Sequence, residues 1–195
     1  MNLGNWGLLF GTSAIVFPST APNLILYAAR LAKYIFGERI QICTGTNDEV
    51  KIEAADAIVG TGGEVRLLAG TYYIQSDCDL DGRSTVRGVG QGTVLALAAN
   101  ADSIILTGSG AAGTNQETCN RLHDVLIDTP AGYTGEACIV APTGFMQAPD
   151  ILKNVTCVCD VHGGLDQTGK GFVLRVHESA IELSSFRGLR WYGFE

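Results

Sequence analysis

Apolar and polar residues change their period twice along this chain. Between Pro22 and Phe36 the apolar positions Leu24, Tyr27, Ala28, Leu31, Tyr34 and Ile35 recur at three-and-four spacing, which predicts a helix with one apolar face. Ser19 or Thr20 stands near its N-cap and Gly37 is its stop. Leu8–Phe17, just before it, reads as a strand or packing arm. A second helix of about 12 residues follows Asn47, a good N-cap, with Asp48 and Glu49 in the first turn where the helix dipole favours negative charge. Val50, Ala54, Ala57 and Ile58 are its expected inward stripe, and Gly60, Gly62 and Gly63 end it. From Glu64 onward the period drops to two, with short runs of Val, Leu, Ile, Thr and Tyr bounded by Gly and Asp, the pattern of short strands and tight turns.

Three later runs align: Leu122-His-Asp-Val-Leu-Ile-Asp128, Leu152-Lys-Asn-Val-Thr-Cys-Val158 and Leu183-Ser-Ser-Phe-Arg-Gly-Leu189, their leucines 30 and then 31 residues apart. A strand recurring at such a period points to a solenoid. Alternation points Val125, Ile127, Val155, Cys157, Cys159 and Phe186 inward. Asp124, Asn154 and Ser185 form one outward column, and Leu126, Thr156 and Arg187 the next. A second strand recurs at Ala137–Val140 and Phe172–Val176. Gly108–Asn120, Ala141–Pro149 and Val161–Lys170 read as projecting loops and as the expected binding surfaces.

The helix from Asn47, the run Gly63-Glu-Val-Arg-Leu-Leu-Ala-Gly-Thr-Tyr72, and Val86-Arg-Gly-Val-Gly90 together resemble the N-terminal portion of the pectate-lyase-like (pectin lyase-like) right-handed parallel β-helices. They are similar to the capping helix and first strand of surface β-helix sequences from phages, bacteria and archaea. The resemblance covers roughly residues 40–100. It implies a mainly all-β fold: a right-handed parallel β-helix solenoid of roughly three to five coils over residues 46–195, a capping helix near 48–60, and an N-terminal arm over residues 1–45 carrying the extra amphipathic helix. It also implies an exposed sheet face that meets polysaccharide or a cell surface. The ending Arg190-Trp-Tyr-Gly-Phe-Glu195 reads as mid-rung, so the solenoid is expected to be truncated or completed by another chain.

Composition narrows the partners. Hydrophobic residues make up 46% and charged residues 17%, which excludes a disordered chain. A net charge of −7 argues against nucleic acid, which needs a basic footprint, and against docking on anionic lipid through a basic patch. Residues 1–29 carry no charge. The apolar run Trp6–Phe17 is short of a membrane span, and no Lys or Arg opens it as a secretory signal does. Cys43, Cys78, Cys119, Cys138, Cys157 and Cys159 form no C-x-x-C pair. They read as small buried hydrophobes, with a disulfide involving Cys43, Cys78 or Cys119 open outside the cytosol.

The candidate chemistry is thin. Asp77, Asp79 and Asp81-Gly82 match the first half of a calcium loop, but the twelfth place holds Gly88 rather than Glu. Asp81-Gly82 also fits a turn, and no cofactor is expected beyond this calcium option. Gly88-Val-Gly-Gln-Gly92 precedes a strand rather than a helix, so it reads as a corner and not a nucleotide loop. Asp124, Asp128, Asp150, Asp160 and Asp166 offer carboxylates for sugar-bond cleavage, and solvated turn residues are the plainer reading. The resemblance implies an Arg or Lys base for lyase chemistry. Arg187 is the local candidate base, two places from the Asp124 column, and Asp124 and Asp128 are the further catalytic candidates. Trp191 and Tyr192 are candidates to stack on sugar rings, one of the two at most, because alternation turns the other inward. His123, His162 and His177 form no triad.

Two functions fit. One is a structural or receptor-binding module on an extracellular or virion surface, tail-spike-like or filament-forming, with a glycan-facing sheet. The other is a polysaccharide lyase or glycoside hydrolase. The expected partners are a polysaccharide or cell-surface glycan and further copies of the chain, as a trimer or head-to-tail assembly, with neither nucleic acid nor membrane.

Overall fold

The computed structural model describes residues 12–81, 83–99, 104–106, 121–130, 137–146, 152–159, 170–176 and 181–187. The chain order is β1 (Ser13–Phe17), α1 (Asn23–Phe36), a short 3-10 turn, β2 (Ile40–Ile42), α2 (Glu49–Val59), β3 (Glu64–Leu67), β4 (Gly70–Ile74), β5 (Cys78–Leu80), β6 (Thr85–Arg87) and β7 (Thr93–Leu97). It continues with β8 (Ile104–Leu106), β9 (Arg121–Thr129), β10 (Ala137–Met146), β11 (Leu152–Cys159), β12 (Lys170–Val176) and β13 (Ile181–Arg187). One sheet runs β13-β11-β9-β6-β3-β1-β2, with β7 joined to both β4 and β9. A second sheet runs β12-β10-β8-β5. The strand pairings within both sheets are parallel.

These elements correct the expected fold class. The chain is not the mainly all-β right-handed parallel β-helix solenoid of the sequence reading but a mixed α/β structure, parallel sheet with helices. The strand order departs from a sequential stack as well. β1 is threaded between β2 and β3, pairing Ile15 with Ile40 on one side and Ala14 with Val65 on the other.

Alternation builds the core. Ala14, Val65, Val86, Leu122 and Leu152 stand opposite one another on successive strands β1, β3, β6, β9 and β11, and none is more than 1% exposed. Five side chains from segments almost 140 residues apart thus form one continuous buried row, the arrangement that period-two apolar positions dictate. Tyr72 is fully buried, and its hydroxyl donates to the Val16 carbonyl at 2.9 Å with the Leu68 carbonyl at 3.0 Å. Burial pushes its phenol well above the ordinary range.

Pairing of β9 with β11 sets Leu122 against Leu152 and Val125 against Val155, the aligned repeat. Pairing of β11 with β13 does not follow the same alignment. Leu152 meets Ile181 and Val155 meets Leu183, with register shifts between Lys153 and Thr156. Ser185 therefore pairs with Thr156 and Arg187 with Val158. β10 runs on to Met146, through most of the segment expected as a loop. Gly108–Asn120 and residues 161–169 of the third expected loop lie outside the described residues.

Both helices stop at glycines in the left-handed region, Gly37 and Gly60, each at φ 62°. Their starts and faces differ from expectation. α1 has no side-chain cap, and Thr20 instead accepts the Thr71 N–H through its hydroxyl at 3.1 Å. α2 begins after Asp48 rather than Asn47 and turns its acidic side inward. Glu49, Ile52, Ala55, Asp56 and Val59 are buried, whereas the expected stripe residues Val50 and Ile58 are 52% and 38% exposed.

The cause is backbone satisfaction. Asp48 Oδ1 accepts the N–H groups of Thr44 and Gly45, and its Oδ2 accepts that of Tyr73. Glu49 accepts the Gln75 N–H and the Ser76 hydroxyl. Glu53 accepts the Asp79 N–H, and Asp56 the Ser84 hydroxyl. Four carboxylates thus meet the donors of segments passing α2, which buried backbone groups require. Among the described residues no buried side-chain nitrogen or oxygen lacks a partner.

Asp48→Ala strips the acceptor from three backbone donors at once. At about 1–3 kcal/mol per unsatisfied donor, denaturant unfolding should show a loss of roughly 3 kcal/mol or more, whereas Val50→Ala on the exposed face stays within about 0.5 kcal/mol. Burial pushes the Glu53 carboxyl above its ordinary 4.5, against the pull of the Asp79 N–H. The folded state therefore favours protonated Glu53, and its contribution to stability is lost as pH rises from 4.5 through the raised value. Glu53→Gln should flatten the stability profile between pH 4.5 and the raised value, as read by urea midpoints across a pH series.

Candidate functional site

The row next to the buried apolar one faces outward and is basic. Arg66 on β3 stands opposite Arg87 on β6, Arg87 opposite His123 on β9, and His123 opposite Lys153 on β11. Each follows an inward apolar residue, Val65, Val86, Leu122 or Leu152, so the alternation that builds the core also aligns this row. Neighbouring strands lie about 4.7–4.9 Å apart, so cationic or imidazole side chains recur at that step across four strands. Arg66, Arg87 and Lys153 are exposed, while His123 is only 5% exposed.

Carboxylates punctuate the row. Glu64 binds Arg66 through Oε1, and its Oε2 lies 3.9 Å from Arg87 Nε. Arg87 Nη1 lies 3.9 Å from Asp124 Oδ2, and Arg87 Nη2 donates to His123 Nδ1 at 3.2 Å. A guanidinium only donates, so His123 accepts at Nδ1 and its ring is neutral in this arrangement. Asn154 Nδ2 completes the ladder by donating to Asp124 Oδ1 at 2.9 Å. Half-exposed pairs at such distances stabilise a fold by at most about 1 kcal/mol, so the ladder is not what holds the sheet.

Its backbone is specialised. Asp124 and Asn154 both lie in the left-handed region, at φ 55° and 52°, which Asp and Asn tolerate better than other side chains. They sit at the same place on adjacent strands, between the paired positions His123–Lys153 and Val125–Val155. The turn after β6 meets this kink: Gly88 N–H donates to the His123 carbonyl at 2.9 Å and Gly90 N–H to the Asp124 carbonyl at 2.7 Å. A Cβ on Gly88 would lie 2.4 Å from the Asp124 carbonyl oxygen. The Gly88–Gly92 segment is thus a corner between β6 and β7, as its residues imply.

The sequence candidates are only partly gathered. Asp124 lies in the ladder, with its carboxylate turned to Asn154 and Arg87. Asp128 lies in a different row, Ala96–Asp128–Val158–Arg187, which brings its strand position level with Arg187 two strands away. Arg187 is therefore level with a position four places beyond Asp124, not the two of the aligned repeat, because the β11–β13 register differs. Trp191 and Tyr192 lie outside the described residues.

Asp77, Asp79 and Asp81 alternate with Cys78 and Leu80, which are 1% exposed and point inward. The three carboxylates are thus strung along and beside an extended strand, roughly 6.5 Å per two residues, rather than folded into a loop. Among the described residues no group of three or more His, Cys, Asp or Glu side chains comes together as a metal site. Cys43 and Cys78 are buried free thiols. Burial, first of all, raises the pKa of both well above the ordinary thiol range, which keeps them protonated and poor nucleophiles. Arg66, Arg87, His123 and Lys153 escaped the sequence reading. Their signal was position, one residue after the first inward apolar residue of each strand.

Gly88→Ala should cost about 1–3 kcal/mol through overpacking against the Asp124 carbonyl, read as a lower denaturant midpoint, whereas Val89→Ala in the same turn, at an exposed side chain, should not. In comparisons with known proteins, the chain matches no family model, and no curated protein or solved structure matches it.

Proposed function

We propose that the chain is a binding module of an extracellular or virion surface whose parallel sheet presents the Arg66–Arg87–His123–Lys153 row to an acidic polysaccharide. The observation that carries this reading is the row itself: four aligned cationic or imidazole side chains on successive strands of a protein whose net charge is −7. A linear polyanion laid across the strands meets Arg66, Arg87 and Lys153, with His123 covered between the last two. Guanidinium groups take carboxylates in paired hydrogen bonds, which adds direction to charge. The flanking Glu64 and Asp124 hold the Arg66 and Arg87 head groups in place, and a glycan carboxylate competes for the guanidinium faces they leave open.

Binding rather than cleavage is the better fit to Asp124. Its carboxylate is engaged by Asn154 at 2.9 Å and lies beside Arg87, so its oxygens are held within the ladder rather than free to reach a sugar bond. Polygalacturonate should bind with an affinity that falls as salt rises, because exposed charge pairs are screened. By calorimetry, Arg66→Ala combined with Lys153→Ala should weaken binding about tenfold or more, the equivalent of ~1.4 kcal/mol, and a neutral glycan such as dextran should not bind through this row. Equal binding of neutral and acidic glycans would sink the reading. Appearance of unsaturated products that Arg187→Ala or Asp124→Ala abolishes would replace it with a polysaccharide lyase.

A further inference from the structure

α1 is apolar on two sides. Ala29 is buried and Leu26, Ala32 and Phe36 are partly covered, so one side already packs on the fold, chiefly against β2. The opposite side carries Leu24, Tyr27, Leu31, Tyr34 and Ile35 at 79%, 69%, 57%, 90% and 54% exposure. These are the residues that the sequence pattern sets on one face, and the structure leaves that face to solvent. Single exposed apolar residues need no explanation, but a contiguous stripe of five on one short helix marks a contact surface.

Charge decides what the contact is. The whole chain carries −7, which speaks against an anionic surface, yet that charge is unevenly distributed. Residues 1–36 contain Arg30 and Lys33 and no acidic side chain, a balance of +2, so residues 37–195 carry −9. Arg30 is exposed, and Lys33 is paired to Glu38 at 3.2 Å just beyond the helix end. A second copy of α1 would set its own Arg30 beside this one, like against like, with Lys33 held by Glu38.

An amphipathic helix with Tyr, Leu and Ile on one face and only basic charge lies in the headgroup boundary by its own face. No described helix is long and apolar enough to cross a membrane.

We propose that α1 docks on an anionic lipid surface, with the Leu24–Tyr27–Leu31–Tyr34 stripe in the headgroup boundary and Arg30 at its rim, while the acidic body is repelled from the same surface. The proposal is independent of the glycan reading, since it uses no residue of the sheet.

The test is co-sedimentation of the full chain with vesicles of phosphatidylcholine alone and of phosphatidylcholine with about one third phosphatidylglycerol, at low and high salt. The intact chain should pellet with the anionic vesicles, and less so at high salt. Leu31→Ser with Tyr34→Ser should reduce the bound fraction at least tenfold, and Arg30→Glu several-fold on anionic vesicles only. Both variants alter exposed positions, so circular dichroism should report an unchanged fold. Absence of pelleting, or equal pelleting of the intact chain and the Leu31→Ser/Tyr34→Ser variant, would overturn the proposal. So would a light-scattering mass showing a dimer that this double substitution converts to monomer, which would assign the face to a second copy.

Discussion

A buried backbone N–H must find an acceptor, and in this fold the side chains of one helix supply several. Asp48, Glu49 and Glu53 at the start of α2 reach the donors of residues 44, 45, 73, 75 and 79, while Asp56 takes the Ser84 hydroxyl. The segments they hold come from the loop before α2, from the β4–β5 stretch and from the approach to β6. α2 packs against β1, β2, β3, β4 and β5, so the helix is where the N-terminal strands and the sheet meet. Acidic residues here join elements through main-chain contacts, and charge-assisted bonds of this kind are stronger than neutral ones.

That use of charge alters how the formula charge should be understood. Asp48, Glu49 and Asp56 are at most 2% exposed, so three carboxylates counted in the net −7 do not face solvent. The exposed sheet face presents Arg66, Arg87 and Lys153 with a covered His123 among them. A protein that is acidic in total therefore has a basic stripe, and the glycan reading depends on that local arrangement rather than on the sum. The same holds for α1, whose two charges are both positive.

Much of the local structure is legible in the sequence. Gly37 and Gly60 mark the helix ends because only a left-handed residue closes them there. Period two assigns Val125, Ile127 and Val155 to the core correctly, whereas Leu122 and Leu152, three places before Val125 and Val155, are buried as well because the left-handed Asp124 and Asn154 break the alternation. The β9–β11 register follows from the 30-residue spacing of Leu122 and Leu152. What fails is whatever depends on partners distant in the chain. The inward face of α2 was read from its apolar residues, yet Glu49 and Asp56 go in because donors on later segments need them. The β13 register escaped because Leu152 meets Ile181, two places before the Leu183 of the alignment, and the register shifts again around Val155. The fold class was misread because nothing in a strand pattern reveals that β1 is inserted between β2 and β3. Of the site, Asp124 was found by its column with Asn154, while the basic row was missed because its members are unremarkable until the strands are laid side by side.

The threading of β1 also bears on how the chain is made. β1 precedes its partner β3 by about 50 residues, with Ser13 pairing to Glu64. At a ribosomal rate of about 5–20 residues per second, Ala14 and Val16 wait roughly 3–10 s for β3 to be synthesised. They lie one strand in from the β2 edge of the finished sheet and are fully buried there. Until β3 is made, the edge of β1 that it will occupy stays open even after β2 has covered the other, and an open apolar edge is a state in which nascent chains recruit chaperones or each other. The β1–β3 seam thus joins the earliest of the described strands to one made about 50 residues later.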